Sequence, residues 1–253
     1  SKCKKYAHYM STGSAGSYSR RAYNSFGEYV NYNIYRDSLK TSLMKNYPTA
    51  TSSERISGNA NSTNTIYSDT FYFYLPAIGT TTMARSGYYT DNVNVNTYSD
   101  STSTPDFELS TPLGISVYVP KEVKLSLVDS GGGFDPNDTA QTLDFLDMTD
   151  NEMLSFDLRV ATNAGYEVRF SSLNNGKLKH QTTSDEVDYV LRINGSAKNL
   201  AGSSSSPLLV ASRSGSTAVA GDLFQVSVQL SSVSNKMAGN YADYITITTI
   251  TKD

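Results

Sequence analysis

The chain has 253 residues, 18% of them charged, with a formal net charge of −3 and no basic block. That balance argues against nucleic acid or anionic membrane as a partner, and no apolar run approaches the roughly 20 residues of a membrane-spanning helix. A single cysteine, Cys3, supplies neither a disulfide within the chain nor a zinc ligand set, and Ser, Thr, Asn and 19 Tyr stand where Lys and Glu stand in cytosolic proteins, as in extracellular β-proteins.

Along the chain, alternation with a period of two dominates. "VNYNIY" (30–35) reads as a strand. "YRDSLKTSLMKNY", Tyr35 to Tyr47, is the one fair helix candidate. "TFYFYL" (70–75) is again strand-like, its aromatic rings assigned to a sandwich core or face. The loop "LPAIGTTTMAR" (75–85) follows, carrying Pro76, Ala77, Ile78 and Met83 and no acidic residue. "NVNVNTY" alternates, and the polar, Pro-containing stretch from Ser99 to Pro112 reads as a linker. "ISVYV", "VKLSL", "LSFDLRV", "YEVRF", "DYVLRI", "LFQVSVQL" and the terminal "YITITTI" are further strands, separated by turn chemistry such as "SGGGFDPND" and "SLNNGK". The chain is predicted to be all-β.

No constellation of catalytic residues emerges. His8 and His180 read as ordinary surface histidines. The acidic run from Asp135 to Glu152 lacks the glycine that a Ca²⁺-binding EF-hand needs at its sixth position and reads as a solvated loop. "SGGG" at 130–133 has no phosphate-loop spacing and precedes no helix. Asp91 and Asp243 are expected to hydrogen-bond locally at a turn. With no paired carboxylates at an identifiable cleft, a carbohydrate-active enzyme is set aside; no enzyme activity, cofactor or metal is expected.

An internal repeat organises the sequence. "SGYYTDNVNVNTY" aligns with "AGNYADYITITTI": Gly87 with Gly239, Tyr89 with Tyr241, Asp91 with Asp243, an offset of 152 (239 − 87). "YVNYNIY" aligns with "EVDYVLR", Tyr32 with Tyr189, at 157 (189 − 32). "CKKYAHYMS" aligns with "NAGYEVRFS", Tyr6 with Tyr166, at 160 (166 − 6). Blocks in the same order with drifting offsets mean two homologous domains that differ in loop length. The expected division is 1–100, a linker at 101–112, and 113–253. With the second copy starting near Ile115, the first lacks counterparts of about 48 residues (163 − 115), among them "ISVYV", "VKLSL" and "LSFDLRV". The first domain is therefore expected to be truncated at its front, and to complete itself with strands from elsewhere.

The Gly-x-Tyr-x-Asp-x-β-x-β blocks at Gly87–Val95 and Gly239–Ile247, with "YVNYNIYRD" and "TNAGYEVRFSSLNNGKL", resemble the spore coat protein U family, which includes pilins of the archaic chaperone–usher pathway. The resemblance spans both copies, and the two-domain layout is most similar to the tip subunits of Csu-type pili. It implies two immunoglobulin-like pilin sandwiches in tandem, the second lacking its final strand. It also implies a donor-strand groove edged by Ile245, Ile247 and Ile250, filled by a periplasmic pilus chaperone and then, at an outer-membrane usher, by the donor strand of the adjacent pilin subunit. Family members often pair a cysteine at the place of Cys3 with one on the first strand; that strand lies outside this sequence, so Cys3 is expected to be unpaired, and Asn163 at the equivalent place implies no disulfide there. The implied role is that of a tip adhesin passing through the periplasm to the cell surface of a Gram-negative bacterium, binding an abiotic or host surface in biofilm formation. The alternative is a non-adhesive structural subunit of a fibre or spore-coat-like layer. Because "NVNVNTY", the final strand of the first domain, is expected to finish at the linker, the loop with Pro76, Ala77, Ile78 and Met83 and the stretch Ser11–Gly27 are expected at the distal, surface-binding pole, and the long connection after Tyr35 is expected to face the second domain.

Overall fold

A computed structural model of the protein describes residues 5–60, 66–77, 83–99 and 104–252. Among these the chain is built of β-strands, and no helix is long and apolar enough to cross a membrane. It divides into two compact units: Ser1–Ile78 with Gly87–Pro120, and Gly79–Ser86 with Lys121–Asp253.

Unit 1 holds β1 (Lys5–Met10), β2 (Arg21–Tyr23), β3 (Tyr29–Asn31), β4 (Asn33–Tyr35), β5 (Ile56–Asn59), β6 (Tyr72–Tyr74), β7 (Gly87–Ser99) and β8 (Asp106–Val119). One sheet runs β3-β2-β7-β1-β5, with β8 also paired to β7; β4 and β6 form a second, small sheet. Tyr9, Met10, Tyr32, Ile34, Tyr89 and Val93 are buried in it. Each large apolar side chain removed from water contributes about 1.5–3 kcal/mol. The helix expected over Tyr35–Tyr47 does not form. Asp37 accepts hydrogen bonds from the backbone N–H of Thr41 (3.1 Å) and Ser42 (2.8 Å), closing a turn that brings Leu43 opposite Tyr35. A short carboxylate bonded to nearby backbone competes with the helix it would otherwise join.

Unit 2 holds β9 (Val123–Asp129), β10 (Met153–Thr162), β11 (Gly165–Ser172), β12 (Lys177–His180), β13 (Glu186–Ile193), β14 (Ser196–Lys198), β15 (Leu208–Arg213), β16 (Asp222–Leu230), β17 (Tyr241–Ala242) and β18 (Ile245–Lys252). One sheet is ordered β17-β12-β13-β16-β10-β9, with β14 beside β13; the other is β15-β11-β18. Leu158, Val160, Val168, Phe170, Leu191 and Val226 form the dry centre between them. This is a sandwich.

Two boundaries differ from expectation. The stretch read as a linker, 101–112, is strand from Asp106 onward, and "ISVYV" belongs to unit 1, not to the second copy. Both lie in β8, which pairs antiparallel with the whole of β7, from Gly87↔Val119 to Ser99↔Asp106. Pro112 signals a break only in a central strand. β8 pairs with β7 alone among the described residues, and an edge strand tolerates a missing N–H. Among the described residues β6 pairs only with β4, whereas β16 is flanked by β13 and β10.

Candidate functional site: an open strand edge above an apolar groove

The repeat makes β18 the counterpart of β7. β7 has β1 on one edge and β8 on the other, whereas β18, among the described residues, pairs only with β11. Beside its beginning lies a groove of about 840 Å³, within unit 2, walled by residues 239–247 on one side and 139–148 on the other. Phe156, Phe170, Tyr189 and Leu191 form its floor.

Ile245 and Ile247 face this groove and pack on the core. Ile250 does not join them. Side chains alternate along a strand, so Ile245, Ile247, Thr249 and Thr251 share the inner face and Ile250 turns outward, 46% exposed. Sequence reading also missed the opposite wall. Within the acidic run, Leu143 and Met148 pack on the core and Phe145 is buried against it, while Asp138 O accepts the Leu127 N–H at 2.7 Å. The signal was the apolar spacing of Leu143 and Phe145 beneath the charges.

The residues of the expected surface loop are divided between the two units. Pro76 is half-buried and Ala77 exposed in unit 1; Met83 is half-buried in unit 2; Ile78 lies outside the described residues, as does Cys3. Its distal placement is overturned by β8. Because β8 runs back along β7, the chain leaves unit 1 just after Val119, which pairs with Gly87 at the start of β7. Ser86, which leads directly into β7, therefore lies at the exit end. The same reversal moves Ser11–Gly27 towards that end, where Ser14 meets Asp91 and Tyr23 pairs with Thr90. It moves the long connection to the other end, where Tyr47 packs on Tyr98 and Asn59 pairs with Lys5.

The two aspartates form matching clamps. Asp91, buried, accepts from Ser14 N–H (2.9 Å), Ser14 Oγ (2.6 Å) and Tyr32 Oη (2.6 Å). Asp243 accepts from Asn174 N–H (2.9 Å), Ser172 Oγ (2.5 Å) and Tyr189 Oη (2.6 Å). Burial, reinforced by the carboxylate, pushes both tyrosine hydroxyls above their usual range. In the same unit Asp185 accepts from Met237 N–H and Tyr241 Oη, both 2.8 Å, which holds its carboxyl down to about 2, the Met237 bond contributing most. The histidines make local contacts: His8 Nδ1 with Thr97 Oγ1 at 2.9 Å and Nε2 with Asp69 at 3.4 Å; His180 Nε2 with Ala238 O at 3.3 Å. Burial lowers the pKa of His8.

No family model and no curated protein matches the chain. Among solved structures it is similar to a chain in the chaperone–tip adhesion subunit pre-assembly complex from archaic chaperone-usher Csu pili of Acinetobacter baumannii, at 16% identity and a TM-score of 0.48, over 97% of this chain and 84% of that one. It is also similar to a chain in a chaperone–tip adhesin complex of CFA/I fimbriae biogenesis, at 12% identity and a TM-score of 0.37, again over 97% and 84%. Likeness at these values carries no functional argument, which rests on the groove and on the open edge of β18.

Proposed function

We propose that this chain is a subunit of a chaperone–usher pilus that captures a partner's β-strand along the free edge of β18, and that it works as a tip adhesin in surface attachment and biofilm formation. The observation that carries the reading is internal to the chain. β7 carries β8 on its outer edge, with Leu113, Ile115, Val117 and Val119 turned inward; β18, its repeat, has the same edge free among the described residues, above an apolar groove. A row of unpaired backbone N–H and C=O groups beside apolar surface is a template for another strand, and strand addition supplies main-chain hydrogen bonds with pockets for alternate side chains. In this reading a periplasmic chaperone fills the groove first, and a neighbouring subunit's donor strand replaces it at the usher on the way to the cell surface.

The test is a chain carrying an alternating apolar donor strand, joined after Asp253 by a short Gly/Asn linker. Its melting temperature should rise by several degrees or more, because binding to the folded state alone stabilises it. An unchanged melting temperature, with the β18 edge amides still exchanging freely, rejects strand capture.

A further inference from the structure

The sequence repeat relates the two units by different offsets for different blocks, and in the fold those blocks converge on one carboxylate per unit. Residues 14 and 174, 32 and 189, and 91 and 243 occupy the same places around Asp91 and Asp243. The two clamps differ in what lies beside them. Asp91 sits within one continuous strand, β7, and pairs with Ile115 of β8. Asp243 sits where the matching strand is divided, between β17, which pairs with β12 of one sheet, and β18, which pairs with β11 of the other. It also lines the groove. Transferred by the repeat, the β7–β8 register sets an incoming strand opposite Gly239, Tyr241, Asp243 and Ile245, across that division.

An antiparallel strand needs its partner's N–H and C=O groups in one line. The crossing from β12 to β11 is fixed by the Asp243 bonds to the turn at 172–174 and to Tyr189 of β13. We propose that Asp243, Tyr189 and Ser172 are positioning residues that align β17 and β18 into a single edge for strand capture, an inference that rests on the strand-capture reading above.

The probe is a dye-labelled synthetic peptide of residues 106–119, added to the full chain, whose own β8 is already paired. Wild type should bind it. Tyr189→Phe and Asp243→Asn should weaken binding roughly tenfold or more, the equivalent of one charge-assisted hydrogen bond. Tyr166→Phe removes a like bond in the same unit, Tyr166 Oη to Asp222 at 2.7 Å, at a residue that does not line the groove. It should match the loss in melting temperature while changing affinity less than about twofold. Ser172→Ala provides a milder variant should Asp243→Asn fold poorly. Wild-type affinity in Tyr189→Phe and Ser172→Ala, or an equal loss in Tyr166→Phe, overturns the positioning role alone. No binding by the wild-type chain overturns strand capture, and the positioning role with it.

Discussion

At the scale of single residues, polar side chains at strand ends do much of the tying. Arg20 is fully buried, its guanidinium donating to the carbonyls of Ser11 (2.8 Å) and Met44 (2.7 Å), so one cation holds two loops that would otherwise bury unsatisfied acceptors. Asp185 is half-buried in unit 2. Its carboxyl is held below the ordinary value, so the stability it contributes is present above about pH 4 and is lost as pH falls towards 2. In Asp185→Asn that stability is missing at pH 5, and the gap to wild type should close as pH approaches 2. Unfolding midpoints of both proteins over this range test the point; parallel curves would show that Asp185 contributes nothing. The sequence carried no sign of this residue, because its partners, Met237 and Tyr241, lie more than 50 positions away.

At the scale of elements, the Gly-x-Tyr-x-Asp blocks were legible because each position answers a local demand. Gly87 and Gly239 have φ of +130° and +149°, which side-chain-bearing residues avoid, and a Cβ on Gly239 would also meet His180. β8 was not legible as part of unit 1. Its apolar positions alternate, but alternation says nothing about which strand a strand will join. Val117 is buried opposite Tyr89. Val117→Asp should destabilise unit 1 by roughly 3 kcal/mol or more, since a buried carboxylate there has no partner. Hydrogen exchange should show lost protection in β7 and unchanged protection in β18; the opposite pattern would assign the segment to unit 2.

At the scale of the whole molecule, the same strand sets which end of the β7–β8 pair lies away from the chain's exit. The end of the β7–β8 pair away from the chain's exit carries Phe107 and Leu109, 58% and 57% exposed. Apolar side chains exposed in this way fit contact with a hydrophobic surface. Phe107→Ser with Leu109→Ser should reduce attachment of piliated cells to a hydrophobic surface while pilus number and peptide capture stay at wild-type levels. Attachment unchanged at normal piliation would remove this end from the adhesive reading.

The sequence by itself determined the strand-rich class, the duplication and the three blocks that form each clamp, because period-two alternation, turn residues and repeated motifs are local or self-comparing signals. Only the tertiary structure decided which edge is filled and which is free, which end of unit 1 is which, that Ile250 turns outward, and that Leu143 and Phe145 wall the groove. Pairing partners and direction are set by contacts between residues distant in sequence, and one strand returning antiparallel reverses every inference about ends drawn without it.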